Sequence, residues 1–245
     1  MSRLLTRCTL VLACATVPAL SAHAGTLTLT GWEYGSAGVV RMSLSPVPNV
    51  NLLAGALSGT VSGLTGKHAD FNGKLVTYCV ELTQWAPGWR SATSGYSVVS
   101  GLTYFGANHR GNQLGSFMTF VDTQSLFDVG DPRVANSGAV QLAIWNIVYD
   151  SDFTLAAGSM QESINTAYRD AATQLLGGWN LWSTSGGHSH YKVYVLHHAH
   201  YQDFLLLERV QPGTQHHAVP LPGTLALLVP AFAALALVRR RYARA

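Results

Sequence analysis

Charge is scarce in this sequence. Asp, Glu, Lys and Arg make up 11% of its 245 residues, well under the usual quarter or so. The charges are also unevenly spread. The formal net charge is +3, yet Arg3, Arg7, Arg239, Arg240, Arg241 and Arg244 all lie near the two ends. Residues 25–218 hold nine Lys and Arg against twelve Asp and Glu, a net of −3. The body therefore has no basic surplus to support nucleic-acid binding, and no nucleic-acid partner is expected. Cysteine is scarcer still. Cys8 and Cys14 precede residue 25, which leaves Cys79 alone in the body with no internal disulfide partner. Oxidising compartments make a spare thiol a liability. Cys79 is thus either buried and inert, or in use.

The ends read as addresses. Arg3 and Arg7 precede an apolar run over 9–20, and Ala22-His23-Ala24 places small residues where a signal peptidase checks. Residues 1–24 are expected to be a signal peptide. The run is too short to span a bilayer, which takes about 20 residues. Near the other end, Val219, Pro220, Leu221, Pro222 and Gly223 lead into an apolar stretch over 225–238 and then Arg239, Arg240 and Arg241. Positive residues directly after an apolar helix hold that side in the cytoplasm and leave the preceding chain outside.

The order of Pro-rich tetrapeptide, glycine, apolar helix and Arg cluster over 219–245 resembles the PEP-CTERM sorting signal of Gram-negative bacteria. Leu221 departs from the commonest form, which has Glu there; related sorting families use Val-Pro-Leu-Pro. The resemblance implies an exosortase-type transpeptidase as partner, transient residence in the inner membrane through the C-terminal transmembrane helix, and release to the cell surface or extracellular matrix.

Between the ends, residues 25–210 read as one α+β domain: a β-rich sandwich or barrel-like body with a helical insert, followed by a polar linker at 211–218. Alternation predicts strands at 26–30, 39–45, 52–64, 75–82, 96–104, 191–196 and 203–210. Leu52 to Leu64 is Gly- and Ser-rich, which suggests thin or edge strands. In 75–82, Val76, Tyr78, Val80 and Leu82 form one face, with Leu75, Thr77, Cys79 and Glu81 opposite. Helical spacing predicts a helix over 138–149, capped by Asn136 or Ser137, and an amphipathic one over 160–176 carrying Met160 and Ile164 and ending at Gly177-Gly178.

Two short motifs carry possible chemistry: Tyr78-Cys79-Val80-Glu81-Leu82 and Val140-Gln141-Leu142-Ala143-Ile144-Trp145. Gln141 shares a helix side with Trp145 and Val148. A carboxamide on so apolar a helix needs a hydrogen-bond partner when buried. Alternatively it has been consumed, since a Cys thiolate can attack a Gln carbonyl and expel ammonia to leave an internal thioester. That chemistry needs an unpaired Cys, a Gln held against it, and a dry aromatic shell. Tyr78, Trp85, Trp89, Trp145 and Tyr149 are available for the shell. The motif pair resembles bacterial surface thioester domains, in which a Cys on a strand bonds a Gln in a Gln-x-x-(apolar)-Trp helix. The resemblance implies Cys79 and Gln141 as bond partners, shielding by Tyr78, Trp145 and Tyr149, and an amine-bearing surface protein as target. Such a protein acts once, as a covalent adhesin and not an enzyme, and needs no cofactor. That family is usually anchored to Gram-positive walls, so the motifs could also persist as a fold signature without the bond. The alternative is a non-covalent matrix protein associated with extracellular polysaccharide, with Trp179 and Trp182 either stacking on sugars or serving the core.

Two other chemistries are weaker on the residues. Seven of ten His lie between His188 and His217. His198 and His200 would share a strand face and could bind metal, but no Cys or carboxylate cluster completes a site, so no metal is expected. A Cys-His hydrolase lacks any nucleophile signature around Cys79.

Overall fold

A computed structural model describes residues 24–34, 37–44, 47–106, 109–124, 134–150, 152–158 and 160–210. Residues 1–23 of the expected signal peptide, and all of the expected linker and sorting signal, including Val219 to Gly223 and Arg239 to Arg241, lie outside the described residues. No helix among the described residues is long and apolar enough to cross a membrane.

The described chain is α+β. Its strands are β1 (Gly25–Trp32), β2 (Gly38–Leu44), β3 (Val47–Ala54), β4 (Leu57–Ser62), β5 (Gly73–Thr77), β6 (Thr93–Ser100), β7 (Met160–Glu162), β8 (Tyr191–His197) and β9 (Phe204–Arg209). Its helices are α1 (Gly101–Phe105), α2 (Arg110–Thr123), α3 (Val134–Tyr149) and α4 (Thr166–Thr184). Six strands form one antiparallel sheet in the order β5-β4-β1-β6-β8-β9. The two ends of that sheet approach each other: Thr77 Oγ1 donates to the Leu205 carbonyl at 2.6 Å, and Leu205 N donates to Tyr78 O at 2.9 Å. The result is a nearly closed barrel, which leaves little edge for another chain to pair with. A second sheet, β3-β2-β7, stands apart. All four helices and β7 fall between β6 and β8, which are sheet neighbours, so the helices form an insert.

The pattern along β1 shows how sequence selects the barrel. Leu27 and Leu29 are fully buried while Thr28 and Thr30 turn outward, and Leu57 and Val61 do the same on β4. Helix α3 is different. Every described residue from Ser137 to Val148 is buried, polar ones included. It packs on α2 and α4 on one side and on β2 and β3 on another. A helix enclosed on all sides reads apolar all round, and its few polar side chains must find partners inside.

Several sequence expectations need correction. The strand expected over 75–82 ends at Thr77, and Cys79 makes only an isolated bridge to Phe204. Its two predicted faces fail as well. Val76 is 51% exposed, whereas Thr77, Tyr78, Cys79, Val80 and Glu81 are all buried, because α3 covers one side of this segment and β9 adjoins it. The run 52–64 holds the end of β3, which is an edge strand of the second sheet as expected, and β4, which is internal, between β5 and β1. The strand expected to reach Tyr104 stops at Ser100, whose side chain accepts from Thr103 N and caps α1. Helix α3 starts before the predicted caps. Ser137 lies inside it and its hydroxyl accepts from Ala56 N at 2.6 Å. The helix expected from Met160 begins only at Thr166, because Met160 pairs with Leu44 in β7 and Asn165 caps α4 by accepting from Tyr168 N. Gly177-Gly178 does not end that helix. A Cβ at Gly178 would sit 3.0 Å from the Phe120 ring, so glycine here lets α4 press against α2.

Candidate functional site

Cys79 and Gln141 meet. The segment after β5 is held by Val80 N donating to Asp203 O at 3.0 Å and by the Cys79–Phe204 bridge. This leaves the Cys79 main chain facing α3 with its own N–H and C=O unused by the sheet. Gln141 takes both. Cys79 N donates to Gln141 Oε1 at 2.9 Å, and Gln141 Nε2 donates to Cys79 O at 2.8 Å. Both residues are buried. The two-point clamp fixes the carboxamide plane and holds its carbonyl carbon beside the residue that carries the thiol.

The electrostatics cut both ways. The Cys79 N–H aimed at Oε1 polarises the carbonyl and would stabilise an oxyanion forming there. Burial, with the Glu81 carboxylate adding to it, pushes the Cys79 thiol well above its ordinary 9.0. The thiol is therefore protonated at neutral pH. Glu81 is itself occupied: Oε2 accepts from Thr83 N at 2.9 Å and Oε1 from Gln84 N at 2.9 Å.

The predicted shielding residues divide. Trp145, one helical turn after Gln141, is buried and lines a cleft together with Cys79. Tyr149, a further turn along, accepts from Leu82 N at 3.0 Å and so ties the segment after Cys79 to α3. Its phenol rises from 10.0 to about 12, chiefly through burial. Tyr78 is buried on the same stretch, where burial raises its phenol and a hydrogen bond with Ser137 opposes the rise. Trp85 and Trp89 are not part of a dry shell, at 81% and 47% exposed. Trp179 is a core residue, donating from Nε1 to Ser116 Oγ at 3.0 Å and meeting Phe117 edge to face. Trp182 is partly buried against Phe120.

Histidines 198 and 200 do not share a strand face. They follow β8 in the turn to β9, and the His198 Nδ1 accepts from His200 N at 3.0 Å and Tyr201 N at 3.1 Å. Among the described residues no group of three or more His, Cys, Asp or Glu could hold a metal ion. His216 and His217 lie outside them.

One cluster escaped the sequence reading. Buried Asp203 accepts from Tyr104 Oη at 2.6 Å, from the His197 ring at 2.8 Å and from His198 N at 2.8 Å. Burial first, then the bond to Asp203, raises the Tyr104 phenol. The same residue's carbonyl receives Val80 N, so this cluster braces the Cys79 segment from the side away from Gln141. An aspartate directly before a strongly apolar strand was the signal available; its three donors come from α1 and the β8 turn, which no local pattern links.

The buried acids imply a pH dependence. Below pH 9.0 folded and unfolded chains both keep the Cys79 proton. Above it the unfolded chain releases a proton that the buried thiol retains, so stability falls with rising pH. Tyr149 adds a further loss between 10.0 and about 12. The urea midpoint of the free-thiol protein is expected to begin dropping near pH 9. A protein in which Cys79 is bonded has no thiol proton to lose there, and its drop starts with the tyrosines, about one pH unit later.

Compared with protein-family models, curated proteins and solved structures, the chain matches none.

Proposed function

We propose that this chain is an exported surface or matrix protein that forms a Cys79–Gln141 thioester and uses it for one covalent attachment. The observation that carries the reading is the reciprocal hydrogen bonding between the Gln141 carboxamide and the Cys79 main chain, at 2.9 and 2.8 Å. Formation is balanced simply. The Cys79 sulfur attacks Gln141 Cδ, its proton leaves with the nitrogen, and ammonia departs. The bond from Cys79 N to Oε1 can persist through the reaction and keeps the acyl carbon electrophilic. An amine on a partner then attacks that carbon, the C–S bond breaks, the amine's proton passes to sulfur, and an amide joins the partner to Gln141. The address in this reading is the PEP-CTERM-like segment over 219–245, acted on by an exosortase-type enzyme that passes the protein from the inner membrane to the surface. Nothing in the chemistry turns over, so the protein is an adhesin rather than an enzyme.

A second reading has its own support. The clamp already satisfies the buried carboxamide, and burial keeps the thiol protonated. On that footing Gln141 is a structural bracket and the protein is a non-covalent matrix component. Incubation with a biotinylated primary amine separates the two. Covalent attachment predicts stoichiometric label on Gln141, absent from Cys79→Ala. No label on the wild type leaves the bracket.

A further inference from the structure

Trp85 and Trp89 are the most exposed tryptophans among the described residues, and large aromatic surface left in water calls for an occupant. Both line a cleft of about 340 Å³, whose lining also includes Trp32, Cys79 and Trp145. Trp32 and Trp89 meet edge to face, with ring centroids 5.5 Å apart and planes at 67°. No charged side chain lines this cleft. Its side-chain amides come from Asn51, Gln84 and Gln202.

We propose that the cleft binds an uncharged polysaccharide, with sugar rings on Trp85 and Trp89 and sugar hydroxyls on the side-chain amides of Asn51 and Gln202. A hydroxyl both donates and accepts, so one ligand group type suits both the oxygen and the nitrogen of an amide. An ammonium only donates and finds no carboxylate in the lining. An acyl chain would leave the amides unmet. The apolar face of a sugar ring suits an indole, and its rim suits the amides.

Binding does not depend on the thioester.

The test is affinity electrophoresis of the full chain, purified in detergent, through native gels containing dextran, galactomannan or hydroxyethyl cellulose. Alginate serves as the charged polymer, and a lysine-rich peptide as competitor. At least one neutral polymer is expected to retard the wild type and Cys79→Ala alike, with Trp85→Ala weakening binding by about tenfold or more, equivalent to about 1.4 kcal/mol. The Trp85 side chain is exposed, so its removal leaves the core intact. Retardation by no neutral polymer, stronger retardation by alginate, displacement by the peptide, or full binding by both Trp85→Ala and Trp89→Ala would each overturn the proposal. Retardation of Cys79→Ala without amine labelling of the wild type keeps the cleft and removes the thioester. Labelling without retardation does the reverse.

Discussion

Gln141→Ala is expected to destabilise the protein by about 3–5 kcal/mol, seen as a lower urea midpoint at unchanged slope. The cost has two parts. Removing the carboxamide strands the Cys79 N–H and C=O in a buried environment, at about 1–3 kcal/mol for each unsatisfied group. Both are main-chain groups fixed between α3 and β9, so neither can turn to find another partner. The rest is the hollow left on a helix that is buried all round. Gln141→Glu keeps the shape but puts an oxygen where Nε2 donated to Cys79 O, so it is expected to lose stability as well. It retains an acceptor for Cys79 N but has no ammonia to expel, so it cannot form the thioester at all. A loss for Gln141→Ala below about 1 kcal/mol would mean the clamp contributes little and would weaken every reading built on it.

Asp203→Ala is expected to cost a similar amount, about 3–5 kcal/mol. Its carboxylate gathers three donors at 2.6 to 2.8 Å while almost fully buried. Hydrogen bonds to a charged acceptor are worth more than neutral ones, about 1.5–3 kcal/mol each. The damage should be local in a recognisable way. Amide exchange is expected to quicken at His198 and Val80, because one donates to the Asp203 carboxylate and the other to its carbonyl. Asp203→Asn, which keeps the shape and one acceptor, is expected to lose less. Unchanged exchange at Val80 in Asp203→Ala would show that the cluster and the Cys79 segment are independent.

What the sequence revealed depended on whether a pattern was local. Strands β1, β8 and β9 alternate or run apolar between turn signals, and all three were legible. Helix α2 was not, although Leu114, Phe117, Met118 and Val121 follow helical spacing and are all buried. Gly111 and Gly115 obscured it, since glycine weakens a helix. Their reason is tertiary: a Cβ at Gly115 would lie 2.6 Å from the Tyr191 carbonyl, so the helix rests directly on β8. The Cys79 segment misled for the same reason in reverse. Its alternation suggested a two-faced strand, but enclosure by α3 and β9 buries both faces and ends the ladder at Thr77. The juxtaposition of Cys79 and Gln141 was legible because each is chemically out of place, one as an unpaired thiol and the other as an amide on an apolar helix. The Asp203 cluster and the open position of Trp85 and Trp89 were not legible, because they arise only where separate elements converge.

The central claim is a bond between Cys79 Sγ and Gln141 Cδ, and intact mass spectrometry of the purified protein tests it most directly. The account predicts a mass lower than the sequence requires by one ammonia, restored with one methylamine added on treatment, and neither effect in Cys79→Ala. A mass equal to the sequence, with Cys79 alkylating as a free thiol after unfolding, would contradict it.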